Sequence, residues 1–258
     1  MIRIQKIQIP DLPTKKPRRL YIYLPSGYNS SDRHYPVLYM FDGHNVFYDK
    51  HATYGKSWGM KEYLARTRLP LIVAAIECNH EGEQRMSEYS PWDLDTPDLG
   101  HLEGLGKATM DWITGPLKEM VDRSYRTLSD REHTMIAGSS MGGLMALYAI
   151  TAYNSVFSRA AALSPSIYFG GWQLHALFSS VSLCSPTRVY MDYGTGEINP
   201  GENSLLAGMF GCAAELTCKG ADVAARTVPG ALHEEAAWEK RIPVFMDYLL
   251  GEIREFLS

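Results

Sequence analysis

Apolar and polar residues alternate with a period of two over residues 2–9 and again over 18–24, "RRLYIYL". That spacing predicts two strands that each present one face to a core, the first of them at a sheet edge. The stretches 35–41 ("YPVLYMF") and 71–77 ("LIVAAIE") are almost wholly apolar, which predicts strands buried on both faces. Shorter apolar runs predict strands over 133–137, 160–163, 187–193 and 222–228. Helical spacing predicts helices over 58–66, 107–125, 141–153, 171–180, 202–219 and 234–250. Pro116 interrupts the second of these and Pro243 lies inside the last. The polar, glycine- and proline-containing stretch 81–106 reads as a long surface loop.

Strands that alternate with helices imply a mainly parallel sheet covered on both faces. The first segments follow one another too closely for helical crossovers, so the N-terminal edge is predicted to be antiparallel. This is the α/β-hydrolase layout, with residues 1–258 forming a single domain.

Composition narrows the class. Of the 258 residues, 45% are hydrophobic and 21% charged, the profile of a soluble protein with a sizeable core. The formal net charge is -4, and the longest basic run is Lys15-Lys16-Pro17-Arg18-Arg19. A nucleic-acid partner is not expected. The start, "MIRIQKIQIPDLP", lacks the apolar run of a signal peptide. No stretch approaches the roughly 18 apolar residues of a membrane span. Cys78, Cys184, Cys212 and Cys218 show no CxxC spacing. They read as free thiols of a cytoplasmic protein, with Cys212 and Cys218 able to pair only if oxidised.

Candidate chemistry begins at "AGSSMGG", residues 137–143, which contains Gly-x-Ser-x-Gly around Ser140; "GKSWG" around Ser57 fits the same pattern. The pattern makes a nucleophile only at a sharp strand-to-helix turn, where both glycines let strand and helix pass closely. Ser140 follows the apolar run Thr134-Met135-Ile136-Ala137 and precedes a helical stripe of Leu144, Leu147, Tyr148 and Ile150. Ser57 follows the polar "YDKHATY" and reads as a helix N-cap above Trp58 and Met60.

A serine hydroxyl needs a base, and the chain order of this layout is serine, acid, histidine. Only His175 and His233 follow Ser140. His233 lies between the last predicted strand and the last helix, the expected place; His175 reads as a surface residue on a helix. Glu197 is the sole carboxylate in the loop after "TRVYMDY" and is the expected acid, with Asp192 as rival. The Met141 N–H, at a helix N-terminus, and a main-chain N–H of Gly43 or His44 are expected to hold the oxyanion. Asp42 and the His44 side chain are expected to shape that turn.

The segments "YPVLYMFDGHNVF", "RMSEYSPW", "YRTLSDREHTMIAGSSMGGLMALY", "ALSPSIY", "VYMDYGTGE" and "GALHEEAAW" resemble the putative-esterase branch of α/β hydrolases. That branch includes esterase D, enterobactin-type siderophore esterases, feruloyl esterases and mycolyltransferases. The resemblance implies Ser140 as nucleophile, His233 as base and Glu197 as acid, although many members carry aspartate there. It also places Arg85, Glu88 and Tyr89 near the site, with an Arg85–Glu88 ion pair as the structural alternative. Trp58 and Trp172 are candidates to line an acyl pocket.

The expected function is a serine carboxylesterase that needs no metal or cofactor. Its small-molecule substrate would be an acylated carbohydrate, a feruloyl or acetyl ester, or a siderophore lactone. Several basic residues near the pocket would favour the last. An acyltransferase with the same triad and a non-catalytic binding protein are the alternatives. Homo-oligomer formation is left open.

Overall fold

The computed structural model describes residues 1–198, 204–251 and 253. Among them, eight strands form one sheet: β1 (Ile2–Ile7), β2 (Arg18–Tyr23), β3 (Val37–Met40), β4 (Ile72–Ile76), β7 (Thr134–Ser139), β8 (Arg159–Leu163), β9 (Arg188–Gly194) and β10 (Asp222–Val228). β5 (Leu94–Thr96) and β6 (Gly100–Leu102) make a separate antiparallel hairpin. The order across the sheet is β1-β2-β4-β3-β7-β8-β9-β10. The β1–β2 and β2–β4 pairs are antiparallel and every later pair is parallel. The expected α/β fold with an antiparallel N-terminal edge is therefore present.

Residue alternation within the strands builds a core on each face. Leu20, Ile22, Val37, Tyr39, Ile72 and Ala74 point into one cluster, while Tyr21, Tyr23, Leu38, Met40, Val73 and Ala75 point into the other. The first cluster is closed by α3 (Gly106–Trp112), α4 (Lys118–Ser124), α5 (Met141–Ala152), α6 (Ile167–Ser180) and α7 (Ser204–Cys218). The second is closed by α1 (Met60–Thr67) and α8 (Glu235–Leu250). Helix α5 is buried along nearly its whole length, which suits a helix lying across the middle of the sheet.

Some boundaries depart from the sequence reading. The stretch 81–106 holds a short helix, α2 (Gln84–Glu88), as well as the β5–β6 hairpin. Between α3 and α4 the chain makes a π-helical turn, Ile113–Leu117, that takes in Pro116 without ending the helix. α6 starts at Ile167, ahead of the predicted 171, because non-helical backbone at Gly171 splits its pattern. Residues 202 and 203 of the predicted fifth helix, 202–219, lie outside the described residues. Cys212 is buried and Cys218 exposed on the same helix, both with free thiols. No helix among the described residues is long and apolar enough to cross a membrane.

Candidate active site

β7 leads into the middle of the sheet and turns directly into α5 at Ser140, whose backbone sits at φ 56, ψ -125. Such a conformation is strained for any residue with a side chain. The surroundings hold it: Ser140 N–H donates to Leu163 O at 3.0 Å, and Ser166 N–H donates to Ser140 O at 3.0 Å. A Cβ on Gly138 would stand 2.5 Å from the Gly142 carbonyl oxygen, so only glycine permits the turn to close. Met141 begins α5, and its N–H has no intrahelical carbonyl to meet.

The Ser140 hydroxyl lies 3.3 Å from that of Ser166. No hydrogen bond joins Ser140 to His233 among the described residues, but both line one cavity of about 420 Å³. His233 Nδ1 lies 2.8 Å from Glu197 Oε2, and its ring meets Trp238 edge-on at 5.0 Å. Glu197 ends a 3-10 turn directly after β9. Its other oxygen, Oε1, accepts from Ser164 Oγ at 2.7 Å, Gly194 N–H at 2.8 Å and Arg241 Nη2 at 3.1 Å. Burial pulls the Glu197 pKa up, but the bonds from His233, Ser164 and Gly194 outweigh it and leave the pKa lowered.

Asp192, the rival acid, is fully buried within β9. It accepts from Tyr190 Oη at 2.6 Å and from Arg241 Nη1 at 2.8 Å. Burial raises its pKa. It touches the acid's support and not the imidazole. Arg241 and Ser164, which sequence reasoning missed, thus tie the two carboxylates together. Trp238 Nε1 and Arg241 Nη1 both donate to Ser164 Oγ, at 3.1 and 3.0 Å.

The turn after β3 packs on the start of α5. A Cβ on Gly142 would come 3.0 Å from Phe41 Cβ and 3.4 Å from Asp42 Oδ2. Asp42 takes left-handed backbone, φ 54, and opens the 3-10 turn Gly43–Asn45. Arg85 grips its carboxylate with Nε and Nη2, both at 2.8 Å, and Tyr89 Oη accepts the Asp42 N–H at 3.1 Å. Burial raises the Asp42 pKa, and the Arg85 guanidinium more than reverses it. The His44 side chain is buried and its pKa falls to about 4 through desolvation, so the ring is neutral at pH 7.

Several pocket expectations change here. Arg85 does not pair with Glu88: it holds Asp42, while the buried Glu88 carboxylate accepts both guanidinium arms of Arg18. Trp58 packs on Trp238 and Phe245 in the α1–α8 core, and Trp172 is 75% exposed on α6; neither lines the cavity. Ser57 is not the helix cap: it donates its N–H at 2.8 Å and its hydroxyl at 2.7 Å to Asp49 Oδ1, and its Oγ accepts the Gly59 N–H at 3.4 Å, ahead of the helix. Gly59 stands at the N-terminus of α1 instead. His175 sits half-exposed on α6, its Nδ1 2.6 Å from Glu215 Oε1. Among the described lining residues the one permanent cation is Arg85, already neutralised by Asp42.

Residues 13–247 match the model of a family described as "Putative esterase". The chain belongs to the putative esterase family. It is a carboxylic ester hydrolase. Uncharacterized protein YbbA of Bacillus subtilis (strain 168) is 26% identical over 186 residues, 70% of this chain and 69% of the relative. An IroE-like serine hydrolase from Shewanella oneidensis resembles the esterase with TM-score 0.75 at 21% identity, covering 100% of this chain and 81% of that one. The enterobactin esterase FES from Shigella flexneri gives TM-score 0.73 at 18% identity; 97% of this esterase aligns, but only 59% of that chain. At these identities the solved structures speak for the fold.

Proposed function

We propose that the esterase is a serine carboxylesterase working through Ser140, His233 and Glu197. The observation that carries this reading is the 2.8 Å contact between Glu197 Oε2 and His233 Nδ1, beside a cavity that His233 shares with Ser140. With Nδ1–H donated to an ionised carboxylate, His233 Nε2 carries the lone pair that a general base needs.

The Ser140 hydroxyl turns from Ser166 toward Nε2, gives up its proton and adds to the ester carbonyl. The oxyanion is received by the Met141 N–H and by a main-chain N–H of Gly43 or His44. Protonated His233 then hands its proton to the departing alcohol. Water enters, is deprotonated by the same nitrogen and hydrolyses the acyl-enzyme. Asp42, Arg85 and Tyr89 serve this reaction by fixing the turn that carries the second oxyanion donor.

The cavity selects among substrates by its polarity. Asp42, Asn45, Thr53, Asn79 and Glu235 line it, with no unpaired permanent cation among its described lining residues. A small, uncharged, oxygen-rich ester, such as an acylated sugar or a feruloyl ester, fits better than a polyanion. The structural neighbours named as enterobactin esterases make a metal-free siderophore lactone the second class to assay. The test is a panel of acetyl, butyryl, feruloyl and siderophore esters with Ser140→Ala as control. Turnover confined to polyanionic esters would refute the substrate reading. Turnover that survives in Ser140→Ala would refute the nucleophile.

A further inference from the structure

We propose that His44, Cys78 and His80 bind a thiophilic divalent cation such as Zn²⁺ in the wall of the catalytic cavity, and that the bound ion inhibits ester turnover. The binding does not depend on Ser140 being the nucleophile; the inhibition rests on that reading.

One ring nitrogen from each histidine and the Cys78 sulfur lie within 4.8 Å of one another. An ion centred among three atoms so spaced stands at most about 2.8 Å from each. Contraction by about 0.5 Å for the sulfur and about 0.8 Å for the nitrogens reaches the roughly 2.3 Å of Zn–S and 2.0 Å of Zn–N bonds. The ends of two neighbouring parallel strands bring the three together. His44 follows β3, and Cys78 and His80 follow β4.

One ring nitrogen of each histidine already has a protein partner, which leaves the other for a metal. His44 is 2% exposed, and its Nδ1 has no hydrogen-bond partner. Its Nε2 lies 3.0 Å from Thr53 Oγ1. With Nε2–H donated to that hydroxyl, Nδ1 keeps its lone pair, and a buried acceptor left unmatched is destabilising. His80 Nε2 lies 3.1 Å from Glu77 Oε1, and Glu77 is anchored by the Arg19 N–H at 2.7 Å. A carboxylate on one imidazole nitrogen orients the other toward a metal. The two rings already meet edge to face at 4.4 Å.

Coordination breaks the hydrogen bond between the Cys78 thiol and the Asp42 carboxylate and replaces the S–H bond with a sulfur–metal bond, and the thiol proton leaves to solvent. One thiolate and two imidazoles favour zinc or cobalt over magnesium or calcium. Three protein ligands leave the fourth position to water, facing the cavity that Ser140 and His233 also line. The ion and its water occupy substrate space there.

The test titrates the purified full-length, chelator-washed protein with Co²⁺ and then Zn²⁺. One equivalent of Co²⁺ should give a sulfur-to-cobalt charge-transfer band in the near ultraviolet, displaced by Zn²⁺. Cys78→Ser should remove the band. His80→Gln, at a partly exposed position, should weaken binding at least about tenfold. Absence of the band in folded wild-type protein, or unchanged affinity in Cys78→Ser and His80→Gln, overturns the site. In parallel, stoichiometric Zn²⁺ should suppress ester turnover, with recovery on adding EDTA; undiminished turnover at saturation overturns the inhibition. Ser140→Ala should keep the cobalt band while losing turnover, which separates failure of the metal site from failure of the esterase mechanism.

Discussion

His233 and Glu197 form a pair in which one partner is fixed and the other is open to solvent. The Glu197 carboxylate is 3% exposed and the His233 side chain 46%. Three donors hold Glu197 Oε1, leaving Oε2 for the imidazole. Arg241 extends the clamp to Asp192. A rigid carboxylate sets the tautomer and direction of the ring, while the ring's far side stays open to the cavity that Ser140 also lines.

Glu197→Gln should separate the two candidate acids. Its amide can present an N–H to His233 Nδ1 and so favour the wrong tautomer. The kcat should fall about 10³–10⁴-fold with little change in KM. Asp192→Asn keeps its shape but weakens the bonds to Arg241 and Tyr190. It should cost about 1–3 kcal/mol of stability and change kcat less than about tenfold. Steady-state kinetics and urea denaturation of both variants decide the matter. A larger kcat loss in Asp192→Asn would transfer the acid's role to Asp192.

Ser140→Ala should abolish labelling by a fluorophosphonate and reduce kcat by at least about 10³-fold. Ser166→Ala removes the hydroxyl 3.3 Å from Ser140 and leaves Ser140 freer to turn toward His233. Its labelling rate should equal or exceed that of the wild type. Intact-protein mass spectrometry over a time course reads both results. A Ser166→Ala protein that labels as poorly as Ser140→Ala would mean that Ser166 takes part in the chemistry itself.

The fold was legible because its signals are local. Fully apolar runs marked β3 and β4, and the short run before Gly138 marked the strand leading to Ser140. Chain order, which the sheet topology imposes, singled out His233 and Glu197, and the fold brings the two side chains together. The clamp around them was not, because Ser164, Arg241 and Asp192 meet across 49 and 77 positions and no spacing rule connects them. The same reason hid the Arg18–Glu88 and Arg85–Asp42 pairs, which span 70 and 43 positions. Helix α2 was missed because five residues are too few to show a 3.6-residue period. Trp58 and Trp172 illustrate another limit: an aromatic residue carries no mark in the sequence that separates core, surface and pocket.

Acid should weaken the fold through the groups that shape the site. Burial opposes ionisation of both Asp42 and Glu197, but Arg85 for the first and His233, Ser164 and Gly194 for the second leave each pKa lowered. Both groups therefore bind a proton more weakly folded than unfolded. Their contribution to stability is complete above the unfolded-state values of about 4 and is lost as pH falls through the lower folded-state values. Urea midpoints should hold steady above about pH 5 and decline below about pH 4. The decline should be shallower in Glu197→Gln. An identical slope in that variant would show that Glu197 ionises equally in both states.

Gly43→Ala should test the proposal that the turn after β3 carries the second oxyanion donor. A Cβ there would fall 2.5 Å from both the C and the O of Ala75, and 2.8 Å from Ile76 N. These are backbone atoms of β4, which is paired on both sides by β2 and β3 and cannot retreat. The turn must lift instead, carrying the Gly43 and His44 N–H groups with it. The expected cost is about 1–3 kcal/mol of stability. The kcat should also fall about 10²-fold or more, as expected when an oxyanion donor is misplaced. Gly115→Ala is the control, since a Cβ there meets nothing within 4 Å. Its helix-propensity gain is offset by crowding against Pro116, so stability should change by less than about 0.5 kcal/mol and turnover should not change. Wild-type kcat in a folded Gly43→Ala protein would remove that turn from the catalytic machinery.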